Sequence, residues 1–577
     1  MYSDEKNVQI TLSLLKAKNI KYVVLSPGGS DAPVVKSFEN DDFFKCYSIV
    51  DERSSVFFGI GLAQELKQPV VCVCTSGTAV SNFLTGMTEA FYQNVPIIAI
   101  TTDSHAYNLN QLELQKLNQN DIFRDVTRAE ITLPAINDEM DEWHCNRIIN
   151  EALLEMNHHG TGPIHINIPI TKTLSCDAKT LPVQRVINRH YIENTSFEIL
   201  SKRLIGKKIL FVVGQNTVLT HDSINIFNKI FQRYNCIYNI ETVSNLKCDG
   251  CVITYPLTES FMAYDKQELI PDIVISLGNF VASYMLKPLL RSKREDMENW
   301  LVSPTGDVRD PYWSLNEIFE GDVMDFMRSL LAIDVPDNND HSYFKSWTSV
   351  AMNFKIDNLG FSSLSIAKLL SEMLPDNSVL HTAILNSTRI MQFFPPKKNV
   401  TCYTNLGALG IDGCAATAVG HSMASDKLTY LLTGDLSFFY GMNALGIRGI
   451  KNNLRVILLN NGGGEEFKIK LGLPNLNNYV CACSNHRVAK GWVKSLGFEY
   501  YNANTNEEVA HVLERFAKTS DNPLFLELFI DMDKDAEIIR NIYADNKPAL
   551  SIKDVLKKGL VKLLPEEVIN QLKILVK

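Results

Sequence analysis

The sequence has no long apolar run, no excess of positive charge and no signal-peptide pattern. No apolar stretch among its 577 residues approaches the ~20 residues that a membrane-spanning helix needs. A formal net charge of −9 argues against a nucleic-acid-binding surface. Residues 1–6 lack the charged and apolar segments of a secretory signal. These absences predict a cytoplasmic protein with no membrane span and no nucleic-acid partner.

Cysteine is present but is not arranged as a zinc site. The chain has 12 cysteines, and Cys72 and Cys74 lie within an apolar run, where they are expected to pack as small hydrophobic residues. Cys248 and Cys251 form a single CxxC pair, and no second pair follows at zinc-binding spacing. A metal or redox role is therefore the less favoured interpretation of this pair.

Apolar strands alternate with helical stretches along most of the chain. This alternation predicts parallel sheets covered by helices on both faces, and the length is too great for a single core. We predict an α/β protein with three doubly wound parallel-sheet domains. The predicted segments are residues 1–180, a central Rossmann-like domain at 190–345, a third domain at 350–545, and an amphipathic C-terminal tail at 546–577. The tail is basic, and packing on a protein surface is favoured over membrane binding.

Two polar turns in the third domain carry the strongest functional signal. An apolar run ends in Gly434-Asp435, and a second apolar run ends in Asn460-Asn461. Parallel strands place their carboxyl ends at one edge of the sheet, where open α/β sheets bind ligands. Carboxylate, amide and backbone oxygens suit Mg²⁺, which also bridges to phosphate groups. The two turns therefore predict a magnesium and phosphate site.

These turns resemble the diphosphate signature of thiamine-diphosphate enzymes, and this resemblance implies thiamine diphosphate and Mg²⁺ as cofactors. Asp435, Asn461 and the Gly463 carbonyl would bind the metal. Glu52 would be the catalytic carboxylate that holds a proton on the cofactor's aminopyrimidine, a role that requires raised proton affinity. Ile411 would support the thiazolium ring. The cofactor-binding residues implied are Ser76, Gly77, Thr78, Gly410, Ile411, Asp412, Gly434, Asp435, Leu436, Ser437, Asn461, Gly463 and Gly464.

Within that class the chain most resembles the menaquinone-pathway synthases, which decarboxylate 2-oxoglutarate and add the product to isochorismate. The acetolactate-synthase branch has the same architecture but matches less well. The resemblance implies that the first domain binds the pyrimidine and the third binds the diphosphate. It also implies a homodimer or homotetramer with sites at the subunit interface. The matching strings are residues 51–53, 76–80, 405–413, 434–437 and 443–445.

The same resemblance implies the substrate contacts, but several cationic groups of the synthases are missing. The implied contacts are Gly29, Ser30, Ser104, His105, Gln115, Asn386, Ser387, Leu406, Glu465 and Glu466. Family arginines or lysines are replaced at Ser30, Ser104, Leu406, Met391 and the pair Tyr284-Met285. Two carboxylates are gained at Glu465 and Glu466. Since each charge-assisted hydrogen bond contributes ~1.5–3 kcal/mol, these changes predict weak binding of carboxylate-rich substrates.

We therefore predict a 2-oxo acid decarboxylase and carboligase that transfers an acyl unit to a carbonyl or alkene acceptor, with a sugar or nucleotide-sugar favoured. One alternative is a genuine menaquinone-pathway synthase that uses cations such as Lys116 or Arg389 in new places. A second is a simple 2-oxo acid decarboxylase. A third is a catalytically silent subunit, against which the retention of Glu52, Asp435 and Asn461 argues.

Overall fold

The computed structural model describes residues 1–171, 176–215, 220–264, 266–333, 339–471 and 487–547. Its elements form three parallel sheets with helices between the strands, so the predicted fold class is confirmed. Contacts group the described residues into two compact units, one from 1–190 and 306–318, the other from 191–305 and 319 onward. The predicted domain boundaries stay predictions, and residues 548–577 of the predicted tail lie outside the described residues. No described helix could cross a membrane.

The first sheet lies in the amino-terminal unit, with strand order β2-β1-β3-β4-β6-β5. Its strands are β1 (Tyr22–Ser26), β2 (Lys45–Ser48), β3 (Val70–Cys74), β4 (Ile97–Asp103), β5 (Ala129–Thr132) and β6 (Ile164–Pro169). Its helices are α1 (Lys6–Ala17), α2 (Ala32–Glu39), α3 (Glu52–Leu66), α4 (Thr78–Tyr92) and α5 (Glu139–Glu155). Every residue of β3 is buried, as expected for a central parallel strand covered on both faces.

The second sheet has the strand order β10-β9-β8-β11-β12-β13-β7, and the division between the units falls within β7 and β13. Its strands are β7 (Asn188–Tyr191), β8 (Ile209–Val213), β9 (Cys236–Ile240), β10 (Cys251–Val252), β11 (Ile273–Leu277), β12 (Glu298–Ser303) and β13 (Leu315–Glu320). Its helices are α6 (Phe197–Leu204), α7 (His221–Arg233), α8 (Tyr255–Glu259), α9 (Leu286–Arg291) and α10 (Val323–Ala332). Cys248 and Cys251 are free thiols with their Sγ atoms 3.4 Å apart.

The third sheet has the order β15-β14-β16-β17-β19-β18. Its strands are β14 (Val379–Thr382), β15 (Thr401–Thr404), β16 (Thr429–Gly434), β17 (Leu454–Asn460), β18 (Glu499–Ala503) and β19 (Leu524–Phe529). Its helices are α11 (Ser342–Met352), α12 (Ser363–Met373), α13 (Asn386–Phe393), α14 (Cys414–Ala424), α15 (Asp435–Tyr440), α16 (Glu466–Leu471), α17 (Lys490–Ser495), α18 (Asn506–Phe516) and α19 (Met532–Asp545).

The first and third sheets have the same strand order, and each has one point where the chain reverses its direction across the sheet. In the first sheet this point lies between β1 and β3, and in the third it lies between β14 and β16. The loops beyond the carboxyl ends of such strands diverge and leave a crevice for ligands. Of the residues predicted to bind the cofactor, those at 76–78 follow β3 and those at 434–437 end or follow β16, at these two positions, whereas the others follow β15 and β17.

Candidate active site

In the amino-terminal unit, a cluster of hydroxyl groups joins the loops that follow β1 and β3 to strand β4. Ser30 Oγ lies within hydrogen-bonding distance of Thr75 Oγ1 (2.6 Å), Thr102 Oγ1 (3.0 Å) and Ser76 Oγ (3.3 Å). Gly28 allows the loops to approach, because a Cβ atom there would lie 2.5 Å from Thr75 Cγ2. Ser30 therefore fixes the loop geometry through neutral hydrogen bonds.

The turn at Gly77 is held by two glutamine side chains. Gly77 has a positive φ of 85°, and its backbone N–H donates to Gln119 Oε1 at 3.2 Å. Gln115 Nε2 donates to the Ser76 carbonyl at 2.9 Å, which places this predicted contact beside the cofactor turn. Gln119 is buried, and its Nε2 donates to Asn167 Oδ1 at 2.9 Å. Thr78 then begins α4.

Glu52 is the first residue of α3 and is half-buried. A second carboxyl group, that of Asp31, is fully buried in the loop after β1. Asp31 Oδ1 accepts a hydrogen bond from the Gly28 N–H at 2.7 Å, whereas its Oδ2 has no hydrogen-bond partner. Burial raises the pKa of Asp31 to about 6 despite that hydrogen bond, and the charge of Glu52 adds to the rise. The predicted catalytic carboxylate therefore has a buried carboxyl group near it.

The remaining predicted substrate contacts of this unit lie after β4 and in the β1 loop. Ser104 N–H donates to Asp103 Oδ1 at 2.7 Å, and burial raises the pKa of Asp103. The His105 and Tyr107 rings stack with their centroids 4.8 Å apart. Gly29 is exposed at the surface of its loop. Whether these residues contact substrate stays a prediction.

In the carboxyl-terminal unit, the two polar turns lie side by side. Gly434 ends β16 and pairs with Leu459 of the neighbouring strand β17. Asp435 is 5% exposed, and its Oδ2 accepts a hydrogen bond from the Gly462 N–H at 2.8 Å. Asn461 Oδ1 accepts from the Gly463 N–H at 3.3 Å. The juxtaposition expected from the parallel strands is present, because this carboxylate and the second turn are in direct contact.

Glu465 lies behind Asn461 and is bound to it. Asn461 Nδ2 donates to Glu465 Oε2 at 2.7 Å. Glu465 Oε1 and Asp535 Oδ2 are both buried and neither accepts a hydrogen bond, so the two nearby carboxyl groups favour a proton on one of them. Burial, reinforced by the charge of Asp535, raises the pKa of Glu465 well above its ordinary range. Ser363 N–H donates to Asp535 Oδ1 at 3.0 Å and completes the chain.

Glu466 forms an ion pair with a buried arginine. Arg389 Nη1 lies 2.7 Å from Glu466 Oε1, and the guanidinium carbon is 5.2 Å from the centre of the Tyr284 ring. The two gained carboxylates are therefore not equivalent free charges, because Glu466 is paired with Arg389 and the raised pKa of Glu465 favours its protonated form. Whether they contact substrate stays a prediction.

Several other positions at which the synthases have cations lie in the protein core. Leu406 is 5% exposed, Met391 is 0% exposed and Met285 is 5% exposed. These side chains fill the interior instead of lining an open surface. Of the predicted Asn-Ser pair, Asn386 begins α13 and is half-buried, whereas Ser387 is buried. The substrate role of Leu406 receives no support from this placement.

The loop predicted to support the thiazolium ring is bonded to residues 434–437. This segment is called the metal turn, because Asp435 is predicted to bind Mg²⁺. Ser437 Oγ donates to the Ile411 carbonyl at 2.7 Å, and Ile411 is half-buried. Gly410 lies close to Asp412, since a Cβ atom at Gly410 would be 2.4 Å from Asp412 Oδ1. Leu436 N–H donates to Asp435 Oδ1 at 2.8 Å, so the first turn of α15 belongs to this arrangement.

The donor set of the second unit fits Mg²⁺ and a diphosphate. The Asp435 carboxylate, the Asn461 amide and the Gly463 carbonyl are the hard oxygen ligands that Mg²⁺ prefers. The Gly463 carbonyl accepts from the Glu465 N–H at 3.2 Å and retains a second lone pair for a metal. Gly464 follows in the same turn, where its carbonyl accepts from the Phe467 N–H at 3.2 Å. The turn therefore offers oxygen ligands beside backbone donors.

Sequence reasoning missed Asp535, Gln119 and Thr102 as parts of the site. Asp535 shares the buried stripe of α19 with Ile539 and Ile542, and a carboxylate within an apolar stripe is a signal that could have been used. Gln119 lies four positions after Gln115, and nothing in the sequence distinguishes the two. Thr102 is an ordinary strand residue by its sequence context.

Comparison with known proteins gives two results. The family profile described as thiamine pyrophosphate enzyme, N-terminal TPP binding domain, matches residues 6–122. Curated relatives named 2-succinyl-5-enolpyruvyl-6-hydroxy-3-cyclohexene-1-carboxylate synthase match nearly the whole chain. Those of Bacteroides thetaiotaomicron and Phocaeicola vulgatus are each 35% identical over 94% of this chain and 99% of the relative. That of Flavobacterium johnsoniae is 29% identical over 93% of this chain and 98% of its own length.

Coverage of 94% of the chain means that the similarity includes residues of both units. The chain thus belongs to the thiamine-diphosphate-dependent family of 2-succinyl-5-enolpyruvyl-6-hydroxy-3-cyclohexene-1-carboxylate synthases, enzymes that form carbon–carbon bonds.

Proposed function

We propose that the protein carries out the reaction for which its relatives are named, with 2-oxoglutarate as donor and isochorismate as acceptor. The single observation that supports this most is 35% identity over 94% of the chain. A sugar or nucleotide-sugar acceptor, the interpretation favoured by the substituted arginines, is less well supported, because the relatives reported above are all named for the synthase reaction.

The geometry also weakens the electrostatic argument against this reaction. That argument counted Glu465 and Glu466 as free negative charges and Leu406 as a lost contact. Glu465 bonds to Asn461 and has a raised pKa, Glu466 pairs with Arg389, and Leu406 is buried. The pocket is therefore less acidic than the sequence suggests. Lys116, which is half-buried and lowers the proton affinity of Asp103, is a cation that a substrate carboxylate could use in the first unit.

Several residues have assignable tasks in this chemistry. Asp435, Asn461 and the Gly463 carbonyl would hold Mg²⁺ and, through it, the diphosphate. When bound, thiamine diphosphate supplies the electron sink that allows a 2-oxo acid to lose CO₂ and its acyl carbon to be transferred. Glu52 would hold and return a proton at the aminopyrimidine. Glu465 would orient the Asn461 amide so that its oxygen points to the metal.

We further propose a homodimer or homotetramer, because the family resemblance assigns each site to two subunits. Light scattering coupled to size-exclusion chromatography measures the mass directly. For a subunit of 64.9 kDa, a dimer or tetramer gives an integral multiple of that mass, and a monomer would contradict the proposal.

The reaction is tested with purified protein, thiamine diphosphate, Mg²⁺, 2-oxoglutarate and isochorismate. The expected product has the mass of isochorismate plus the four-carbon unit left after 2-oxoglutarate loses CO₂, and it is detected by mass spectrometry. CO₂ release is measured in parallel with pyruvate and other 2-oxo acids as donors. Glu52→Gln serves as the matched control for uncatalysed product.

Two results would contradict the proposal. One is CO₂ release from pyruvate but none from 2-oxoglutarate, which would indicate a different donor. The other is transfer of the acyl unit to sugars or nucleotide-sugars with no isochorismate product. The absence of CO₂ release from any 2-oxo acid would instead favour a catalytically silent subunit.

A further inference from the structure

A loop of the second sheet presents two exposed aromatic rings. It connects β11 to the short helix α9 and includes residues 278–285. The Phe280 side chain is 56% exposed and that of Tyr284 is 43% exposed. Large apolar side chains on a defined surface next to a functional site often mark a contact for a ligand or partner.

The backbone of this loop is anchored by two glutamates that lie outside it. Glu241 is buried, and its carboxylate accepts hydrogen bonds from the Ala282 N–H (2.6 Å) and the Ser283 N–H (2.8 Å). Glu259 Oε1 accepts from the N–H groups of Tyr284 (2.9 Å) and Met285 (3.0 Å). Four consecutive backbone N–H groups of the loop are therefore held by carboxyl oxygens. The two aromatic residues are therefore carried on a fixed backbone.

Phe280 lies against the loop that is predicted to support the cofactor. A Cβ atom placed at Gly407 would be 3.8 Å from Phe280 Cε2, which is ordinary van der Waals contact. Gly407 is four residues before Ile411, and the Ile411 carbonyl is bonded to Ser437 in the metal turn. The Phe280 ring is thus next to the segment that leads to the thiazolium position.

Tyr284 lies against the helix that is predicted to contact the acceptor. Its ring is 5.2 Å from the guanidinium carbon of Arg389, and Arg389 is in the first turn of α13, after Asn386. The ion pair with Glu466 fixes the guanidinium group at 2.7 Å, so the ring has a rigid support. Cation–π contacts of this kind are stronger when the cation is shielded from water, as Arg389 is.

We propose that Phe280 and Tyr284 form the surface against which the ring of the acceptor packs, and that they determine specificity for a flat, partly unsaturated six-membered ring. The proposal rests on the function proposed above. The donor, 2-oxoglutarate, is an acyclic dianion with no ring face to stack. An unsaturated ring offers such a face, and aromatic side chains prefer offset or edge contacts with it.

The test separates acceptor binding from donor and cofactor binding. The variants are Phe280→Ala, Tyr284→Ala and the double variant, with Phe280→Leu and Tyr284→Phe as conservative partners. Met352→Ala, at an 85% exposed position of α11, is the control for loss of a surface apolar side chain. For each protein we would measure the KM for isochorismate, the KM for 2-oxoglutarate, the affinity for thiamine diphosphate and the melting temperature.

Each alanine variant is expected to raise the KM for isochorismate about tenfold, in line with the loss of one aromatic contact. The KM for 2-oxoglutarate and the cofactor affinity should change less than about twofold, a split that a general loss of structure would not produce. Tyr284→Phe should retain the wild-type acceptor KM, and Phe280→Leu should give an intermediate value. If an alanine variant does not fold, Phe280→Leu and Tyr284→Phe are compared with the wild-type protein instead.

Three outcomes would overturn the proposal, and they can be told apart. If the wild-type protein makes the product while the double variant keeps its KM for isochorismate, the aromatic surface alone is wrong. If the wild-type protein makes no product from isochorismate, the proposed function fails and this inference fails with it. An equal rise in the KM values for donor and acceptor also counts against a specific role.

Discussion

Around Ser30 the loops are joined by hydroxyl and amide groups, whereas around Asn461 they are joined by carboxyl groups. Ser30 contacts Thr75 through oxygen atoms that stay neutral at any ordinary pH. Asn461 contacts Glu465, whose pKa is raised by burial and by the charge of Asp535. Neutral hydrogen bonds contribute about 1 kcal/mol each, while a buried carboxyl pair is stable only with its proton. The contacts around Ser30 should therefore tolerate changes of pH that disturb the contacts around Asn461.

The largest effect is expected at Glu52, the carboxylate of the amino-terminal unit that is predicted to be catalytic. We expect Glu52→Gln to lower turnover by about 10²–10⁴-fold, because general acid–base groups contribute that much. Cofactor affinity should change little, because Asp435 and Asn461 are intact. Steady-state product formation and cofactor titration measure the two effects. The control is Asp51→Asn, at an exposed neighbouring position. Unchanged turnover in Glu52→Gln would refute the assignment.

Asp31 is a buried carboxyl group within the amino-terminal unit, and it sharpens the comparison through pH. Its pKa of about 6 lies above the ordinary value of 3.8, so the folded state binds this proton more tightly than the unfolded state. The contribution of Asp31 to the free energy of unfolding is fully present below about pH 4. It falls by roughly 2–3 kcal/mol as the pH rises to about 6.

Asp31→Asn should remove that decline in stability, because an amide does not titrate. The amide oxygen can still accept from the Gly28 N–H, so the loop should be retained. Urea unfolding of both proteins over this pH range measures the difference in free energy. Parallel curves for the two proteins would show that Asp31 does not hold the proton.

Substitutions at Glu465 test the carboxyl contacts around Asn461. Glu465→Leu removes the acceptor for Asn461 Nδ2 and places an apolar side chain beside the buried Asp535 Oδ2. We expect Mg²⁺ affinity to fall by about 10–100-fold, as for other groups that orient a metal ligand. Glu465→Gln can still accept from Asn461 Nδ2 and should change affinity only a few-fold. The measurement is the Mg²⁺ dependence of cofactor binding. Equal losses in the two variants would contradict an orienting role.

The smallest effect is expected at Ser30. Ser30→Ala removes its hydroxyl contacts but leaves no buried charge, so the free energy of unfolding should fall by about 1 kcal/mol. The loss should be the same at pH 5 and pH 8, because no titrating group is involved. Urea unfolding at both values checks this, with Ser54→Ala at an exposed position as control. A loss of unfolding free energy that varies with pH would show that the hydrogen bonds around Ser30 depend on a titrating group.

Periodicity and turn chemistry were enough to predict the sheets and the adjacency of the turns at Asp435 and Asn461. The runs that became β16 and β17 are apolar, and parallel strands must bring their ends to one edge. That single rule predicts that Asp435 and Asn461 lie together, without any knowledge of the rest of the fold. The prediction depends on residues close to strand ends, where geometry is nearly fixed.

The surroundings of the site could not be predicted in the same way. Asp535 is 70 residues after Glu465, and Arg389 precedes Glu466 by 77, so no local pattern joins either pair. The arginine positions misled because a replaced charge was assumed to face the pocket, whereas Leu406 is buried. Pairing and burial are set by long-range packing, which the periodicity of a single sequence does not encode.

The anchoring of residues 278–285 bears on how such an enzyme could change its acceptor. The glutamates that hold this loop, Glu241 and Glu259, bond to its backbone, and backbone N–H groups are present whatever side chains the loop carries. Exchanges at Phe280 and Tyr284 would then cost little folding energy. Natural drift or a combinatorial library could therefore sample new acceptors at these two positions while the catalytic machinery stays intact.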